Sequence, residues 1–467
     1  MLNINKYGLL IILFIFIGCS QNREKSAISD WEQKDIILKR IIPPEFKDRD
    51  FNIISYGAKG DGKFDNNAII NKVISECNTS GGGRVVIPPG TYLCNGPIIL
   101  KSNVNLHLKK NVVIKFGTKS SYYLPVVLTR FEGIECYNYS PLIRAFEQEN
   151  IAITGKGTLD GQASVDNWWT WIGVERFGWR KGMPSQEDSS SRPLLRKMNS
   201  MTVPVEKRIF GEGHYLRPNF IQPLRCKNVL VSGVKFLNSP MWFLHPIESE
   251  NIIIKGVTVI GDGPNNDGCD PESSKDILIE DCYFKTGDDC IAIKSGRNND
   301  GRKIGKPSEN IIIRNCKMED GHGGVVIGSE ISGNCRNVFV EYCEMDSPSL
   351  IRAIRLKTNM HRGGVIENVY VRNIKVGEVA EAVIKINLKY DSTNEGSGGN
   401  YLPVVRNIYI QNVISEKSKY GIFILGLESS KINNIIIQNC KFNKVIEGNI
   451  INNVNNLIFK SFIMNET

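Results

Sequence analysis

Short runs of β-branched residues recur along the chain, each introduced by an Asn or an Asp. Within a run, apolar residues alternate with other residues, and a further apolar residue and a second short run follow. Alternation with a period of two and a high β-branched content indicate strands, not helices. The strongest copies begin at Asn228, Asn251, Asp276, Asn310, Asn337, Asn368, Asn407 and Asn434, and weaker copies begin at Asn103 and Asn150.

The spacing of these copies sets the size of one structural unit. Successive strong copies begin between 23 and 39 residues apart. A unit this short cannot bury a hydrophobic face alone, so neighbouring units must stack, each strand pairing with the equivalent strand of the next unit. The pattern predicts an all-β fold, a right-handed parallel β-helix whose longer units contain loop insertions. A β-propeller would need longer units with regular hairpin turns, which the pattern lacks.

Cysteines share one position of the repeat with aliphatic residues. Six residues after the first residue of a copy stands either a Cys or a Val or Ile, which indicates a position that faces the core. Buried Cys behaves as a small hydrophobe, and no Cys-x-x-Cys pair is present, so we predict a ladder of free core thiols, not disulfides or metal ligands. The cysteines are Cys282, Cys316, Cys343 and Cys440, and their equivalents are Val234, Val257, Ile374 and Val413.

Two segments depart from the repeat. Residues 65–77 have helical spacing behind polar N-capping residues, and we expect a short N-terminal helix that caps the open end of the solenoid. Residues 165–225 are rich in Trp, Arg and Gly, and an interruption of this length projects from one side of a solenoid and can wall a groove. We therefore predict a single β-helical domain over residues 49–467, with the insertion 165–225 bordering its cleft.

The N-terminus has the pattern of an export signal. Lys6 is the only charged residue before the apolar run 9–17, which is too short to span a bilayer. Ile17-Gly18-Cys19 resembles the lipobox of bacterial lipoproteins, which implies removal of residues 1–18, lipidation of Cys19 and a location on the outer membrane, on its periplasmic or cell-surface face. The alternative is an ordinary signal peptide. The polar residues 19–48 are predicted to form an irregular tether.

The chain is basic, with a formal net charge of +9, or +8 after removal of Lys6 with the signal segment. Such a charge suits nucleic acid, an anionic membrane or an anionic polymer. Export and the lack of a dense Lys/Arg block argue against nucleic acid, and membrane contact is expected only through the lipid anchor. An anionic polymer is the favoured partner; the alternative is that the charge only aids solubility.

Four short polar motifs follow four successive repeats and carry the candidate chemistry. Because stacked strands lie about 4.8 Å apart, motifs at equivalent places in neighbouring coils converge on one face. Alone, each has an ordinary interpretation, as a turn, a Ca²⁺ ligand or a solvated surface; together and in order they indicate a site. They are Asn265-Asn266-Asp267-Gly268-Cys269-Asp270, Gly287-Asp288-Asp289-Cys290, Gly321-His322-Gly323-Gly324 and Arg355-Leu356-Lys357.

Clustered carboxylates with a His and two cations suit acid/base catalysis. Neighbouring carboxylates push their pKa values apart, so one can hold a proton while another stays ionised. A protonated carboxyl opposite a carboxylate that activates water is the inverting arrangement of glycosidases, with a usual separation of about 6.5–9.5 Å. Arg355 and Lys357, two apart on a strand, would share a face and could bind a substrate carboxylate.

In this order the motifs resemble glycoside hydrolase family 28, the polygalacturonase family. Its signature is Asn-Thr-Asp-Gly, Gly-Asp-Asp, Gly-His-Gly and Arg-Ile-Lys on a parallel β-helix of the pectin-lyase-like type. The similarity covers roughly residues 50–450 and includes Tyr56-Gly-Ala-Lys-Gly-Asp-Gly. The resemblance implies inverting hydrolysis of α-galacturonosyl linkages in pectin with no metal and no cofactor, and the insertion 165–225 favours exo-action.

The resemblance also implies roles for individual residues. Asp288 would be the general acid, Asp267 and Asp289 would activate the water, and His322 would tune the acid. Arg355 and Lys357 would bind the galacturonate carboxylate at the cleavage point. Asn266 and Leu356 replace the family's Thr and Ile, and we expect little effect from either.

Lys294, His245 and Tyr390 are further candidates for contact with the substrate. Lys294 follows the Asp288–Asp289 turn, and a further cation suits a polyanion, although a solvated Lys is equally consistent. His245 stands at a strand end one coil before Asp267 and could instead be a core His. Tyr390 either lines the cleft or packs.

Other functions are compatible with the same fold. The substrate could be rhamnogalacturonan or a side-chain galacturonide of pectin instead of homogalacturonan. A pectate lyase would need Ca²⁺ and an Arg or Lys base, with acids arranged as ligands instead of around a His. A non-catalytic adhesin or polysaccharide-binding β-helix would not require the three acids, yet Asp267, Asp288 and Asp289 are all present.

Overall fold

A computed structural model describes residues 30–391 and 398–466. The predicted signal segment 1–18, Cys19 and residues 20–29 lie outside the described residues. The chain folds as a right-handed parallel β-helix, as predicted. No helix within the described ranges has the length and apolar character needed to span a membrane.

Each coil contributes strands to three parallel stacks, called here the first, second and third sheets. The first sheet contains Asp50–Asn52, Gly83–Ile87, Val104–Leu108, Glu149–Gly155, Lys227–Ser232, Glu250–Lys255, Lys275–Glu280, Ser308–Arg314, Cys335–Glu341 and the first halves of Val365–Glu378, Val404–Lys417, Ile432–Val445 and Val454–Glu466. The second contains the other halves of those long strands and Asp61–Asp65, Gly90–Cys94, Val112–Phe116, Thr158–Asp160, Lys235–Leu237, Thr258–Gly261, Tyr283–Thr286, Lys317–Glu319 and Glu344–Met345.

The third sheet carries the outward face on which the four motifs lie. Single β-bridges at Leu244, Ile247, Cys269 and Glu272 continue it through two coils that lack full strands. Its strands are Ile98–Ile99, Ile143–Phe146, Ile221–Leu224, Ile291–Ile293, Val325–Gly328, Arg352–Lys357, Ala382–Asn387, Tyr420–Leu425 and Ile450–Asn452.

The first residue of each repeat makes the turn that leads into the first sheet. Asn337 has φ 57°, and every strong repeat start has a φ between 53° and 58°. Asn adopts this left-handed conformation more readily than other non-Gly residues. The side-chain amides then form a ladder along the molecule: Asn337 donates to Asn310 at 3.0 Å and accepts from Asn368 at 3.2 Å. The recurring Asn is therefore explained by both its backbone and its amide.

Asp276 interrupts this ladder, because an ionised carboxylate cannot donate a hydrogen bond to Asn251. The last residue of the first helix, α1 (Asp30–Arg40), and a residue shortly after it fill the break. The backbone N–H of Ile42 donates to Asn251 Oδ1 at 3.0 Å, and Arg40 Nη2 donates to Asp276 Oδ1 at 2.7 Å. The acid in the ladder is thus paired with the N-terminal segment.

Helix α1 corrects the prediction of an irregular tether over residues 19–48. Ile37 is buried, and Trp31 packs edge-on against Phe339 on the outer face of the first sheet. Lys34 Nζ donates to the buried Glu341 at 2.9 Å. Polar residues predominate in this segment because only one face of the helix meets the sheet, so its composition concealed its packing.

Helix α2 (Asn67–Thr79) is the predicted cap and begins two residues later than residue 65. It buries Ile70, Val73, Ile74 and Cys77 against the end of the core, which explains their helical spacing.

The cysteine prediction is confirmed for the described residues. All of their cysteines are free and buried, including Cys282, Cys316, Cys343 and Cys440 of the predicted ladder. Burial raises the pKa of the Cys290 thiol to about 12, and an inaccessible protonated thiol is unreactive.

The insertion is shorter than the predicted residues 165–225, because the strand Ile221–Leu224 already belongs to the third sheet. It contains helix α3 (Arg192–Ser200) and packs beside helix α4 (Asn298–Ile304). A separate antiparallel hairpin, Val127–Phe131 with Ile134–Asn138, also leaves the β-helix. Short 3₁₀ helices occur at Ile53–Tyr56, Ser120–Tyr123, Trp168–Ile172, Glu175–Phe177 and Val205–Lys207.

Substitutions at Asn337 separate the two contributions of the ladder. Asn337→Gly keeps the left-handed turn but removes the amide, and we expect a loss of about 1–2 kcal/mol of unfolding free energy. Asn337→Ala also places in the left-handed conformation a residue that adopts it less readily than Asn or Gly, which adds about 1–2 kcal/mol. Chemical unfolding of both variants measures the difference. Equal losses of unfolding free energy in the two variants would show that the left-handed backbone conformation does not contribute to the stabilising effect of Asn337.

Candidate active site

Backbone hydrogen bonds between coils place the four motifs side by side at the start of the third-sheet strands. Gly268 N donates to Asp289 O at 3.0 Å, Cys290 N to Gly323 O at 2.8 Å, and Gly324 N to Arg352 O at 2.9 Å. The acids and His322 therefore lie in neighbouring coils, as predicted from their equivalent places in the repeat.

Arg355 and Lys357 face the same side as the acids. Their neighbours Ile354 and Leu356 lie in the hydrophobic core, so alternation along the strand Arg352–Lys357 turns both cations outward. Leu356, which replaces the Ile of the family signature, is thus a core residue.

The motifs surround a cavity of about 440 Å³. Its lining mixes acids and bases from the β-helix, the hairpin and the insertion. The lining residues are Glu132, Arg192, Trp242, Asn265, Asp267, Asp288, Asp289, Lys294, Arg297, His322, Ser329, Glu330, Ile351, Arg352, Arg355, Lys357 and Tyr390.

The three aspartates are closer together than the usual inverting separation. One carboxylate oxygen from each of Asp267, Asp288 and Asp289 lies within 4.8 Å of the others, whereas the expected range was about 6.5–9.5 Å. Three like charges this close are unfavourable unless cations or protons compensate them. Each of the three carboxylates has a different compensating partner.

Asp288 is paired with His322. The Nδ1 atom of His322 lies 2.8 Å from Asp288 Oδ1. Burial alone would raise the pKa of Asp288, but His322 outweighs it and holds that pKa below its usual value. In return, Asp288 raises the pKa of His322 above 6.5. The pair therefore holds one proton, which rests on His322 in the free protein.

Asp289 is held by two cations. Lys357 Nζ lies 2.7 Å from its Oδ2, and Arg355 Nη1 lies 3.4 Å from its Oδ1. Burial opposes ionisation, yet these cations lower the pKa of Asp289 overall. The ring of Tyr390 lies 5.3 Å from both cationic groups, so Tyr390 lines the cavity as predicted.

Asp267 keeps a proton of its own. Its side chain is almost fully buried, and burial, followed by the negative charge of Asp270, raises its pKa well above the usual value. Burial also raises the pKa of Asp270 well above its usual value, so both acids favour the protonated form. Asp270 was not among the predicted site residues. Its position three residues after Asp267 in the same turn is the sequence feature that could have identified it as a site residue.

Lys294 lies at the centre of the charge cluster. Its Nζ is 3.9 Å from Asp267, 3.8 Å from Asp270 and 3.3 Å from Glu330. Trp242 lies beneath it, with 5.0 Å between Nζ and the ring centroid. The alternative of a solvated Lys is excluded, because Lys294 is buried and lines the cavity.

The structure corrects the prediction that His245 contacts the substrate. His245 has no exposed surface, and its Nε2 lies 2.8 Å from the buried Glu272. Asn219 and Gln222 donate to its Nδ1 at 2.7 and 3.0 Å. Burial lowers the pKa of His245, so it is a neutral core residue, and it supports Trp242 through an edge-on ring contact of 4.8 Å.

Two residues in the motifs hold the backbone in place. A side chain at Gly321 (φ 82°) would bring Cβ within 2.0 Å of the carbonyl oxygen of Asp288, which explains this glycine beside His322. The Nδ2 of Asn266 donates to the carbonyls of Ser239 and Met241, both at 3.0 Å. Asn266 is therefore a structural residue that ties the Asp267 turn to the previous coil.

The insertion crosses the groove beside the three acids. On the side where the third-sheet strands begin, Arg217 donates to Asn265 Oδ1 at 2.7 Å. On the side where they end, Asn199 of α3 donates to the carbonyl of Arg297 at 3.1 Å. One side of the cavity is thus closed. Glu132, Arg192 and Arg297, which line this side, were not predicted, because their contacts come from segments distant in sequence.

The three aspartates are also close enough to share a metal ion. However, Lys357 and Arg355 neutralise Asp289, and His322 neutralises Asp288. The protein's own cations therefore compensate the charge that a divalent ion would otherwise compensate.

A parallel β-helix with three clustered carboxylates in a cationic cavity defines a glycoside hydrolase. The family model of glycosyl hydrolases family 28 matches residues 211–461, more than half of the chain. The model described as "Rhamnogalacturonase A/epimerase, pectate lyase-like" matches residues 51–111. The chain belongs to glycosyl hydrolase family 28.

Individual proteins agree with this family. The crystal structure of a hyperthermoactive exopolygalacturonase from Thermotoga maritima is 46% identical, with a TM-score of 0.89 over 93% of this chain and 96% of that one. The "Probable polygalacturonase" of Vitis vinifera is 27% identical over 81% of this chain and 71% of its own length. The exo-poly-alpha-D-galacturonosidase of Dickeya chrysanthemi is 26% identical over 73% of this chain and 58% of its own length.

The proton on the Asp288–His322 pair can be observed by NMR titration of the histidines. The pKa of His322 is raised above 6.5. We expect His322 to be protonated below this raised pKa and to lose its proton as the pH rises through it. Asp288→Asn removes the attraction and should lower this pKa. His245, whose pKa is lowered by burial, is the internal control. A His322 pKa unchanged by Asp288→Asn would contradict the pairing.

Proposed function

We propose that the protein hydrolyses α-galacturonosyl linkages of polygalacturonate, one sugar at a time from the non-reducing end. The observation that carries this proposal is the cavity that contains Asp267, Asp288 and Asp289 and is closed on one side by the insertion. Six cationic side chains line it and suit a polyanionic sugar chain: Arg192, Lys294, Arg297, Arg352, Arg355 and Lys357.

The proton for the leaving oxygen comes from the Asp288–His322 pair. His322 passes its proton to Asp288 across the 2.8 Å contact as Asp288 donates a proton to the glycosidic oxygen. This route reconciles an ionised Asp288 in the free protein with its role as general acid, because the proton is held on His322 at hydrogen-bond distance. Activity should therefore fall at alkaline pH, where the pair has lost its proton.

Asp289 is the carboxylate that accepts the proton of the attacking water. It remains ionised, whereas burial raises the pKa of Asp267 and favours its protonated form, which can orient the water by hydrogen bonding. Inversion requires this water to attack the anomeric carbon from the face opposite the leaving oxygen.

A substrate carboxylate would compete with Asp289 for its two cationic partners. Arg355 and Lys357, held beside Tyr390, offer the fork and the point charge that bind a uronate carboxylate. If the ammonium group of Lys357 interacts partly with the substrate carboxylate instead of with Asp289, the ionised form of Asp289 is less stabilised. Asp289 then becomes a stronger base. Binding of an acidic sugar would thus activate the base, which a neutral sugar would not do.

Exo-action is supported by the closed side of the cavity and by a 46% identical relative that is named an exopolygalacturonase. Rhamnogalacturonan and side-chain galacturonides are the alternative substrates.

Digestion of polygalacturonate tests the activity and its direction. We expect monomeric galacturonate as the first product, formed initially as the β-anomer because the α-linkage is inverted, as seen by chromatography and by NMR. Early mixtures of longer oligomers would contradict exo-action. Faster release from rhamnogalacturonan in a panel of pectin fragments would reassign the substrate. A product that absorbs near 235 nm and disappears with EDTA would indicate a Ca²⁺-dependent lyase instead.

Asp288→Asn is the control for the chemical step. Loss of a general acid reduces turnover by about 10²–10⁴-fold, and the unfolding midpoint should change little because the variant keeps the size of the side chain. Full activity in this variant would refute the role of Asp288.

We further propose that the protein is an exported lipoprotein attached at Cys19, on the basis of the Ile17-Gly18-Cys19 sequence. Cys19→Ala should move it from the membrane fraction to the soluble fraction and abolish labelling by a fatty-acid analogue. Unchanged membrane retention in the variant would indicate a different mode of attachment or none.

A further inference from the structure

We propose that Glu132 recognises the non-reducing end of the substrate, accepting a hydrogen bond from a hydroxyl of the terminal sugar. This inference rests on the proposed function and identifies the group that would limit cleavage to the chain end. Glu132, Arg192 and Arg297 are called here the end wall.

The backbone fixes Glu132 beside the catalytic coils. It lies in the turn between the hairpin strands Val127–Phe131 and Ile134–Asn138, with φ 47°. The N–H of Arg297, in the loop after the strand Ile291–Ile293, donates to the carbonyl of the adjacent Gly133 at 2.9 Å. The strand that follows Asp288 and Asp289 thus leads directly to the residue that holds the hairpin turn.

Glu132 is a permanent negative charge in the cavity. Its carboxylate lies 3.1 Å from Arg192, 2.9 Å from Arg196 and 3.5 Å from Arg297. Burial would raise its pKa, but the three arginines hold it at about 2. Its side chain is 11% exposed and still lines the cavity, so it can meet a ligand.

The end wall is continuous with the insertion that closes the groove. The N–H of Arg192 donates to the carbonyl of Gln186, whose side chain accepts from Arg217 at 3.2 Å. Arg217 in turn contacts Asn265, next to Asn266 and Asp267. The charged wall and the catalytic turn are therefore parts of one connected structure.

A fixed carboxylate discriminates between a chain end and a continuing chain. The terminal sugar has a hydroxyl group where a continuing chain has a glycosidic oxygen, and only the hydroxyl can donate a hydrogen bond to a carboxylate. Steric closure alone would exclude a longer chain without binding the end. The carboxylate adds a hydrogen bond that only the end of the chain can form.

Glu132→Gln tests the inference, with Glu135→Gln as its matched control. Glu135 lies on the same hairpin, is 14% exposed and is paired with Arg225 outside the cavity lining. For trigalacturonate, we expect Glu132→Gln to raise KM about 10-fold or more with a smaller change in kcat, because a charged hydrogen bond to substrate is lost. Glu135→Gln should stay within about two-fold.

A binding measurement tests the inference without requiring turnover. In the Asp288→Asn background, calorimetry should show about 10-fold weaker trigalacturonate binding when Glu132→Gln is added, and no comparable change with Glu135→Gln. If Glu132→Gln fails to fold, Glu132→Asp should weaken binding in the same assay, because its shorter side chain keeps the charge but reaches less far towards the substrate.

Two results would overturn the inference: unchanged KM and affinity in a folded Glu132→Gln protein, or equal losses in Glu135→Gln. Failure of the proposed function is distinguishable, because the unsubstituted protein would then release no galacturonate from polygalacturonate.

Discussion

Parallel hydrogen bonding between successive coils is the constraint on which the rest of the molecule depends. It fixes the register of each coil, so a residue at one place in a repeat lies directly over its equivalent in the next. The ladder of left-handed Asn residues maintains this register at the turn into the first sheet. Where Asp276 breaks the ladder, Arg40 and Ile42 supply the missing partners from outside the coils.

The same register brings the catalytic carboxylates together and causes the repulsion between them. Stacking Asp267 beside Asp288 and Asp289 brings like charges together in a buried place, which isolated carboxylates would not tolerate. Each acid is neutralised differently, by His322, by Lys357 with Arg355, or by a proton. These differences turn a set of equivalent positions into acid, base and orienting group, because the partner of each carboxylate decides whether it is ionised.

Features that repeat were predictable from the sequence, and features made by distant segments were not. The coils, the core thiols and the convergence of Asp267, Asp288, Asp289 and His322 follow from periodicity, because equivalent positions must stack. Helix α1, the end wall and Asp270 depend on contacts between segments far apart or on burial, neither of which leaves a periodic signal. His245 shows the opposite error: a polar residue near the site in sequence packs in the core.

The buried thiols have a consequence for following the molecule in solution. They are distributed along the axis of the solenoid, from Cys77 in the capping helix to Cys440 in one of the last coils. A thiol reagent can reach each of them only when its own coil opens, so labelling rates would report local opening coil by coil. The natural sequence thus carries a built-in series of probes for where a solenoid frays first and how far the opening spreads.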